Sequence, residues 1–286
     1  MDYNLCDYNT VKKILSAHGF NFSKALGQNC IIDDSICPAM AEMLGADEKT
    51  GVLEVGPGVG VLTKELCKRA GKVVSVELDE RLYPVLEQTM ADYDNFELVK
   101  GDVMKIDLHA LIAEKFADCD EVKICANLPY YITSPVIMML LQSKLPITEI
   151  EVMVQQEAAE RLCAPIGSRE AGAVSVAVNY YGESEILFNV GRDCFMPSPK
   201  VDSSVIKIVV REKPEFEVKN EKQFFSLVKC AFAQRRKTLV NSLSNSLGKS
   251  KPEVTNALAQ LGLAPTVRAE NLKMEDLVNL ADLLFN

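Results

Sequence analysis

Histidine is nearly absent from this 286-residue chain, which contains His18 and His109 and no others. A Ser-His triad or a histidine-rich metal centre would have to be built around one of these two, and each reads more simply as a helix-end or surface histidine. The nine cysteines, at 6, 30, 37, 67, 119, 125, 163, 194 and 230, include no Cys-x-x-Cys pair. That removes the zinc-ribbon and thioredoxin-type readings, and no metal is expected. An odd number of thiols scattered through apolar segments reads as reduced and buried, the pattern of a cytoplasmic protein. Met1-Asp2-Tyr3-Asn4 lacks the basic-then-apolar profile of a secretory leader. The longest plain aliphatic run, residues 136–141, is far too short to cross a bilayer, so no membrane partner is expected. The sequence is silent on oligomeric state, and a monomer is the default expectation.

Acidic residues are missing from one stretch in particular. The formal net charge is −9, which taken alone argues against a nucleic-acid partner, yet residues 222–251 carry seven basic side chains and no acidic one. A solvated helix face normally mixes signs. A single-sign stretch on an acidic protein instead directs a polyanion to one place.

With 48% hydrophobic residues, the chain can bury one substantial core and a smaller second unit. Helical spacing is present at 8–18 and 34–45, with the segment 24–32 between them reading as a loop. From Gly51 short apolar runs alternate with amphipathic stretches: strands at 52–55, 73–77, 96–99, 122–126 and 149–154, and helices at 60–70, 79–91, 134–142 and 155–163. This is the pattern of βαβ units around a mainly parallel sheet. Residues 174–181, 185–190 and 204–210 also read as strands and are expected to complete the sheet in antiparallel fashion. Residues 211–220 form a charged linker containing Pro214. Helices at 221–234, 237–247, 251–261 and 274–284 follow, with Gly248 and Gly262 as stop signals. The expected domains are 1–212 and 213–286.

Two familiar nucleotide motifs are absent as well. After Glu54-Val55 the glycines run Gly56-x-Gly58-x-Gly60, where a dinucleotide fingerprint would need Gly-x-Gly-x-x-Gly. Gly248-Lys249-Ser250 has Leu243 where a Walker loop needs glycine. What remains is a glycine turn between a strand and a helix, which lets a ligand approach backbone amides closely. Glu77 stands at the end of the next strand, where a carboxylate can accept from both ribose hydroxyls. Asp102, after the following strand, can accept from an adenine amino group, although such an acid also serves as a turn residue. The ordered set describes a nucleoside cofactor without phosphate, S-adenosylmethionine.

A methyl donor gives Asn127-Leu128-Pro129-Tyr130-Tyr131 a task. The exocyclic amine of adenine is a poor nucleophile because its lone pair is delocalised into the ring. Accepting its two N–H bonds, one by the Asn127 side-chain oxygen and one by the Leu128 carbonyl, favours a tetrahedral nitrogen. Catalysis would then come from positioning and electrostatics. Tyr130 can stack on the base, and Phe195, in a loop made extended by Pro197 and Pro199, can close its other side. Tyr131 has no assigned role beyond packing.

Together, Leu26-Gly-Gln-Asn29, the 54–60 loop, Asn127-Leu-Pro-Tyr-Tyr-Ile-Thr-Ser-Pro135, Phe195-x-Pro-x-Pro-x-Val201 and Ala233-Gln-Arg-Arg-Lys-Thr-Leu239 resemble the bacterial small-subunit rRNA adenine dimethyltransferase family. The resemblance implies a Rossmann-like α/β class I methyltransferase sheet with a small all-helical C-terminal domain. It also implies dimethylation of N6 on two adjacent adenosines in the 3′-terminal hairpin of 16S rRNA, within an assembling small ribosomal subunit. By the same resemblance Asn29 and Ile31 border the methionine part of the cofactor, and Gly56, Glu77, Asp102 and Asn127 complete its pocket. The basic stretch, with Arg235, Arg236 and Lys237, is expected to bind the RNA. Two positions depart from the family pattern: Cys30, where phenylalanine is common, and Val240, where a further basic residue is common. The competing readings are a large-subunit rRNA adenine methyltransferase of the macrolide-resistance type, and a non-catalytic RNA-binding assembly factor.

Overall fold

The structure, a computed structural model, describes residues 3–19 and 30–285. The Leu26-Gly-Gln-Asn29 segment, and with it the expected cofactor residue Asn29, lies outside the described residues. Two compact units are present, one made of residues up to 159 together with 185–210, the other of 160–184 and 211 onward. The expected boundary near 212 therefore falls at the end of the last sheet strand, but residues 160–184 belong with the helical tail.

In the first unit α1 (Tyr8–Ala17) starts at Asp7, whose carboxylate accepts from the Thr10 amide at 2.9 Å, an ordinary N-cap. The two-residue strand β1 (Cys30–Ile31) and helix α2 (Ile36–Met43) follow. The alternating run then consists of β2 (Thr50–Val55), α3 (Val61–Cys67), β3 (Lys72–Glu77), α4 (Tyr83–Thr89), β4 (Phe96–Lys100), α5 (Leu108–Lys115), β5 (Glu121–Asn127), α6 (Thr133–Gln142), β6 (Glu149–Gln155) and α7 (Gln156–Leu162). Helix α5 was not expected from the sequence. It is set by Asp107, which caps the Ala110 amide at 3.0 Å, and by Leu108, Leu111 and Ile112, which bury one face of a short helix.

Strands β2 to β6 are mutually parallel in the order β4-β3-β2-β5-β6. Strand β9 (Ser203–Val210) runs antiparallel to β6, and β7 (Gly182–Val190) lies beside β9 at the edge. The chain winds one way from β2 and the other way from β5, so a crevice opens at their carboxyl ends. Open α/β sheets bind ligands at such a switch point. Strand β8 (Phe195–Met196) stands apart from this sheet and pairs with β1.

Residues 174–181, expected to be a strand, lie in helix α8 (Ala173–Tyr181). The alternating Val174, Val176 and Val178 suggested a strand, but local bonds decide otherwise. The Gly172 amide donates to the Ser175 hydroxyl at 2.9 Å, and the Asn179 side chain donates to the Ser175 carbonyl at 2.9 Å. Tyr180 and Tyr181 then pack on Phe224 and Phe225, with Tyr181 stacked on Phe225 at a 5.5 Å centroid distance. Tertiary burial has overridden β-branched propensity. The remainder of the second unit is α9 (Glu221–Phe232), α10 (Leu239–Ser246), α11 (Lys251–Gln260) and α12 (Met274–Phe285). Phe224, Leu227, Leu243, Leu258 and Leu277 form their shared core. Ser250 and Glu253 make a reciprocal capping box at the start of α11.

Candidate cofactor and base-binding site

Four successive strand ends meet one cleft. The β2 end supplies Gly56, Gly58 and Gly60, at φ of 70°, 61° and 95°, values that side chains with a Cβ avoid. A Cβ on Gly56 or Gly58 would meet nothing within 4 Å, so both glycines border open space in the cleft. Gly60 is different, because a Cβ there would approach the Met90 sulfur to 3.0 Å. The first two glycines keep a cradle open and the third lets α4 pack.

Glu77, at the end of β3, is 5% exposed and lines the cleft. Its Oε1 accepts from the Asp79 amide at 2.8 Å and its Oε2 from the Gly58 amide at 3.3 Å. Burial raises its carboxyl above the ordinary range, and the two backbone bonds oppose that rise. Deeper in, Glu54 is pushed up to about 7 by burial, against hydrogen bonds from Ser75 at 2.6 Å and Thr63 at 2.7 Å. Glu54 thereby fastens β2 to β3 and α3 beneath the glycine turn.

Asp102 follows β4 on the cleft wall. Its Oδ1 accepts from the Met104 amide at 3.0 Å and its Oδ2 pairs with Lys105 at 3.3 Å. The residue thus serves its own turn, and a carboxylate with about four acceptor sites keeps capacity for a further donor.

Asn127 closes β5, and its side-chain amide makes no hydrogen bond among the described residues. Leu128 is anchored by its amide to the Met153 carbonyl at 3.2 Å. A one-turn 3₁₀ helix, Tyr130–Ile132, follows. The Tyr130 hydroxyl lies 2.8 Å from the Ser203 hydroxyl at the start of β9. Tyr131 also lines the cleft but is 59% exposed, so its expected packing role is not what the structure shows.

Phe195 is 2% exposed and reaches the same cleft. It does so through the β1–β8 pairing, where Ile31 stands opposite Phe195 and Cys30 opposite Met196, with the Ile32 amide donating to the Cys194 carbonyl at 2.9 Å. Ile31 is buried on the cleft wall beside Cys30, whose thiol burial pushes up to about 12. Ser203 and the β1–β8 ribbon were not singled out from the sequence. No short-range signal marks them, because Ser203 is 73 residues from Tyr130 and each strand of the ribbon is two residues long.

The cleft therefore gathers Ile31, Gly56, Glu77, Asp102, Asn127, Tyr130 and Phe195. In the second unit Arg235, Arg236 and Lys237 are exposed after α9. Arg235 turns inward by one nitrogen, its Nη2 donating to the Arg169 carbonyl and to the Ala171 carbonyl, the latter at 3.3 Å. Elsewhere His18 bonds Gln88 at 2.7 Å and His109 bonds the Ser143 carbonyl at 2.7 Å.

Residues 19–285 match the family described as ribosomal RNA adenine dimethylase. The chain is 46% identical to ribosomal RNA small subunit methyltransferase A of Geobacillus thermodenitrificans, over 96% of this chain and 94% of that one. It is also 46% identical to the protein of the same name from Bacillus licheniformis, with the same coverage of both chains. Among solved structures, a dimethyladenosine transferase from Plasmodium falciparum aligns with a TM-score of 0.70 at 26% identity, covering 87% of this chain and 95% of that one. The 23S rRNA methyltransferase ErmE aligns with a TM-score of 0.65 at 26% identity, covering 90% and 99%.

Proposed function

The chain belongs to the ribosomal RNA adenine dimethylase family, and from that premise we propose that it uses S-adenosylmethionine to dimethylate N6 of two adjacent adenosines in the 3′-terminal hairpin of 16S rRNA during small-subunit assembly. The observation that carries this reading is the convergence on one cleft of the glycine turn, Glu77, Asp102 and the Asn127-Leu-Pro-Tyr corner. The fit to the cofactor rests on the open cradle at Gly56 and Gly58 and on two acidic strand ends suited to hydroxyl and amino donors. When bound, S-adenosylmethionine supplies an electrophilic methyl group.

The chain's own residues prepare the other reactant. In this reading Asn127, whose side-chain amide is uncommitted among the described residues, accepts one N–H of the adenine amine, and the Leu128 carbonyl the other. In the first transfer, accepting hydrogen bonds from both N–H groups localises the nitrogen lone pair and makes the amine a better nucleophile, and an N–H proton is released once the new N–C bond has formed. Tyr130 offers an aromatic face to the base, with stacking worth about 1 to 3 kcal/mol. That offsets the few kcal/mol needed to unstack a nucleotide. Phe195, buried in the core, forms part of the cleft wall behind the base rather than the second stacking face expected from the sequence. The rate then comes from holding reactants in line and from fixed dipoles.

Two further observations support the small-subunit substrate. The family relatives at 46% identity carry the small-subunit name, whereas the likeness to the 23S enzyme is at 26%. The test is methyl transfer to naked 16S rRNA, assembling 30S particles and 23S rRNA side by side, read by primer-extension stops. Stops at two adjacent adenosines of the small-subunit RNA are expected. Stops confined to 23S rRNA would establish the large-subunit reading instead, and cofactor-independent RNA binding without stops would favour an assembly factor.

A further inference from the structure

Within the basic stretch of the second unit, Arg235, Arg236 and Lys237 are not three equivalent cations. Arg235 directs Nη2 at two backbone carbonyls, those of Arg169 and Ala171. A guanidinium grips a phosphate in two-pronged fashion through Nη1 with Nη2 or through Nε with Nη2, so both grips need the nitrogen that Arg235 has committed. Its charge still adds to the local field, but its geometry serves the loop between α7 and α8.

That loop is built to hold a shape. Gly167 takes φ of 89°, the Ser168 amide donates to the Pro165 carbonyl at 3.2 Å, and the Ala171 amide donates to the Ser168 carbonyl at 3.2 Å. At its base the Ser175 hydroxyl donates to the Arg161 carbonyl at 2.5 Å while accepting from the Gly172 amide. Ala171 is fully buried. Arg169, by contrast, is exposed, and its side chain has no ion pair or hydrogen bond among the described residues. A side chain with a clamped backbone and an uncommitted guanidinium is poised for a ligand of fixed geometry.

We propose that Arg169 is an RNA-phosphate contact of the second unit, acting with Arg236 and Lys237, and that Arg235 is a positioning residue that holds the Arg169 backbone in place. This rests on the RNA-substrate reading given above. The loop also exposes Glu170 next to Arg169, so the pair adds little net charge at a distance. Arg169 therefore works at short range, where its orientation decides whether a phosphate is reached, and this is why a buttress matters.

The experiment measures binding of 16S rRNA to the full chain against salt concentration, with cofactor titration and melting temperature as checks on folding. Arg169→Ala should weaken binding roughly three- to tenfold and lower the salt slope by about one, as Arg236→Ala should. Arg235→Lys keeps the charge and loses the planar fork. It should weaken binding when Arg169 is present and have no further effect when residue 169 is alanine. Wild-type affinity and slope in Arg169→Ala, or an Arg235→Lys effect of equal size in both backgrounds, would overturn the inference. Absence of salt-dependent RNA binding by the unaltered protein would instead overturn the RNA reading, and the inference with it.

Discussion

The Tyr130 and Ser203 hydroxyls lie 2.8 Å apart, tying the one-turn helix after β5 to the first residue of β9. The bond fixes the tilt of a ring that faces the cleft. Tyr130→Phe and Ser203→Ala should each keep the ring while removing this tie on its orientation, and lower kcat/KM by no more than about tenfold. Tyr130→Ala removes the stacking face, worth about 1 to 3 kcal/mol, so kcat/KM should fall roughly five- to 150-fold. Methyl transfer to 16S rRNA measures all three. Equal losses in Tyr130→Phe and Tyr130→Ala would assign the effect to the hydroxyl and remove the stacking role.

The elements framing this site were legible for local reasons. Strands β2, β3, β5 and β6 are short apolar runs closed by polar or glycine residues, and each was placed to within two residues from that pattern alone. Glu77 and Asn127 could be singled out because they end such runs. The β1–β8 ribbon could not, since its partners lie more than 160 residues apart and neither has a period to read. Helix α8 was misread because its alternating valines imitate a strand, and the bonds that decide it, from Gly172 and Asn179 to Ser175, become visible only in three dimensions. Arg235 shows a third limit. Its charge is plain in the sequence, but the carbonyls that occupy it belong to a loop 64 and 66 residues away.

In the proposed mechanism Asn127 is the most exacting position. Its side-chain amide is unbonded among the described residues, so its removal costs the fold little. Asn127→Ala should lower methyl transfer by about a hundredfold or more, the scale of losing one preorganised polar contact to a reacting group, while RNA affinity stays near that of the unaltered protein. Single-turnover kinetics beside a filter-binding titration measure both quantities. Retained turnover in the variant would sink the hydrogen-bond account of how the amine is activated.

Glu77 both shapes the glycine turn and lines the cleft proposed to hold the cofactor. Glu77→Ala removes a buried carboxylate that accepts from the Gly58 and Asp79 amides. Hydrogen bonds to a charged group contribute about 1.5 to 3 kcal/mol, so the affinity for S-adenosylmethionine should fall by roughly ten- to 150-fold. Isothermal titration with the cofactor checks this, and an unchanged Kd would remove Glu77 from the binding site.

A polar row crosses the buried sheet, with Ser75, Glu54, Cys125, Glu151 and Lys207 in register on five adjacent strands. Glu151 is fully buried, and both of its carboxyl oxygens lack hydrogen-bond partners among the described residues. Burial pushes it from 4.5 up to about 8, with Glu149 adding to the rise and Lys207 and Lys123 opposing it. The folded chain therefore keeps a proton at Glu151 that the unfolded chain loses near 4.5. Wherever the folded state binds more protons, stability falls as pH rises. The stabilisation is complete below 4.5, declines through neutral pH and is gone above about 8. Glu54 contributes a similar decline that ends near 7. Glu151→Gln fixes the uncharged form, so its melting temperature should fall less between pH 6 and pH 8 than that of the unaltered protein, leaving the variant the more stable of the two at pH 8. Thermal unfolding followed by circular dichroism across that range measures the difference, and parallel curves for the two proteins would show that Glu151 already ionises normally in the fold.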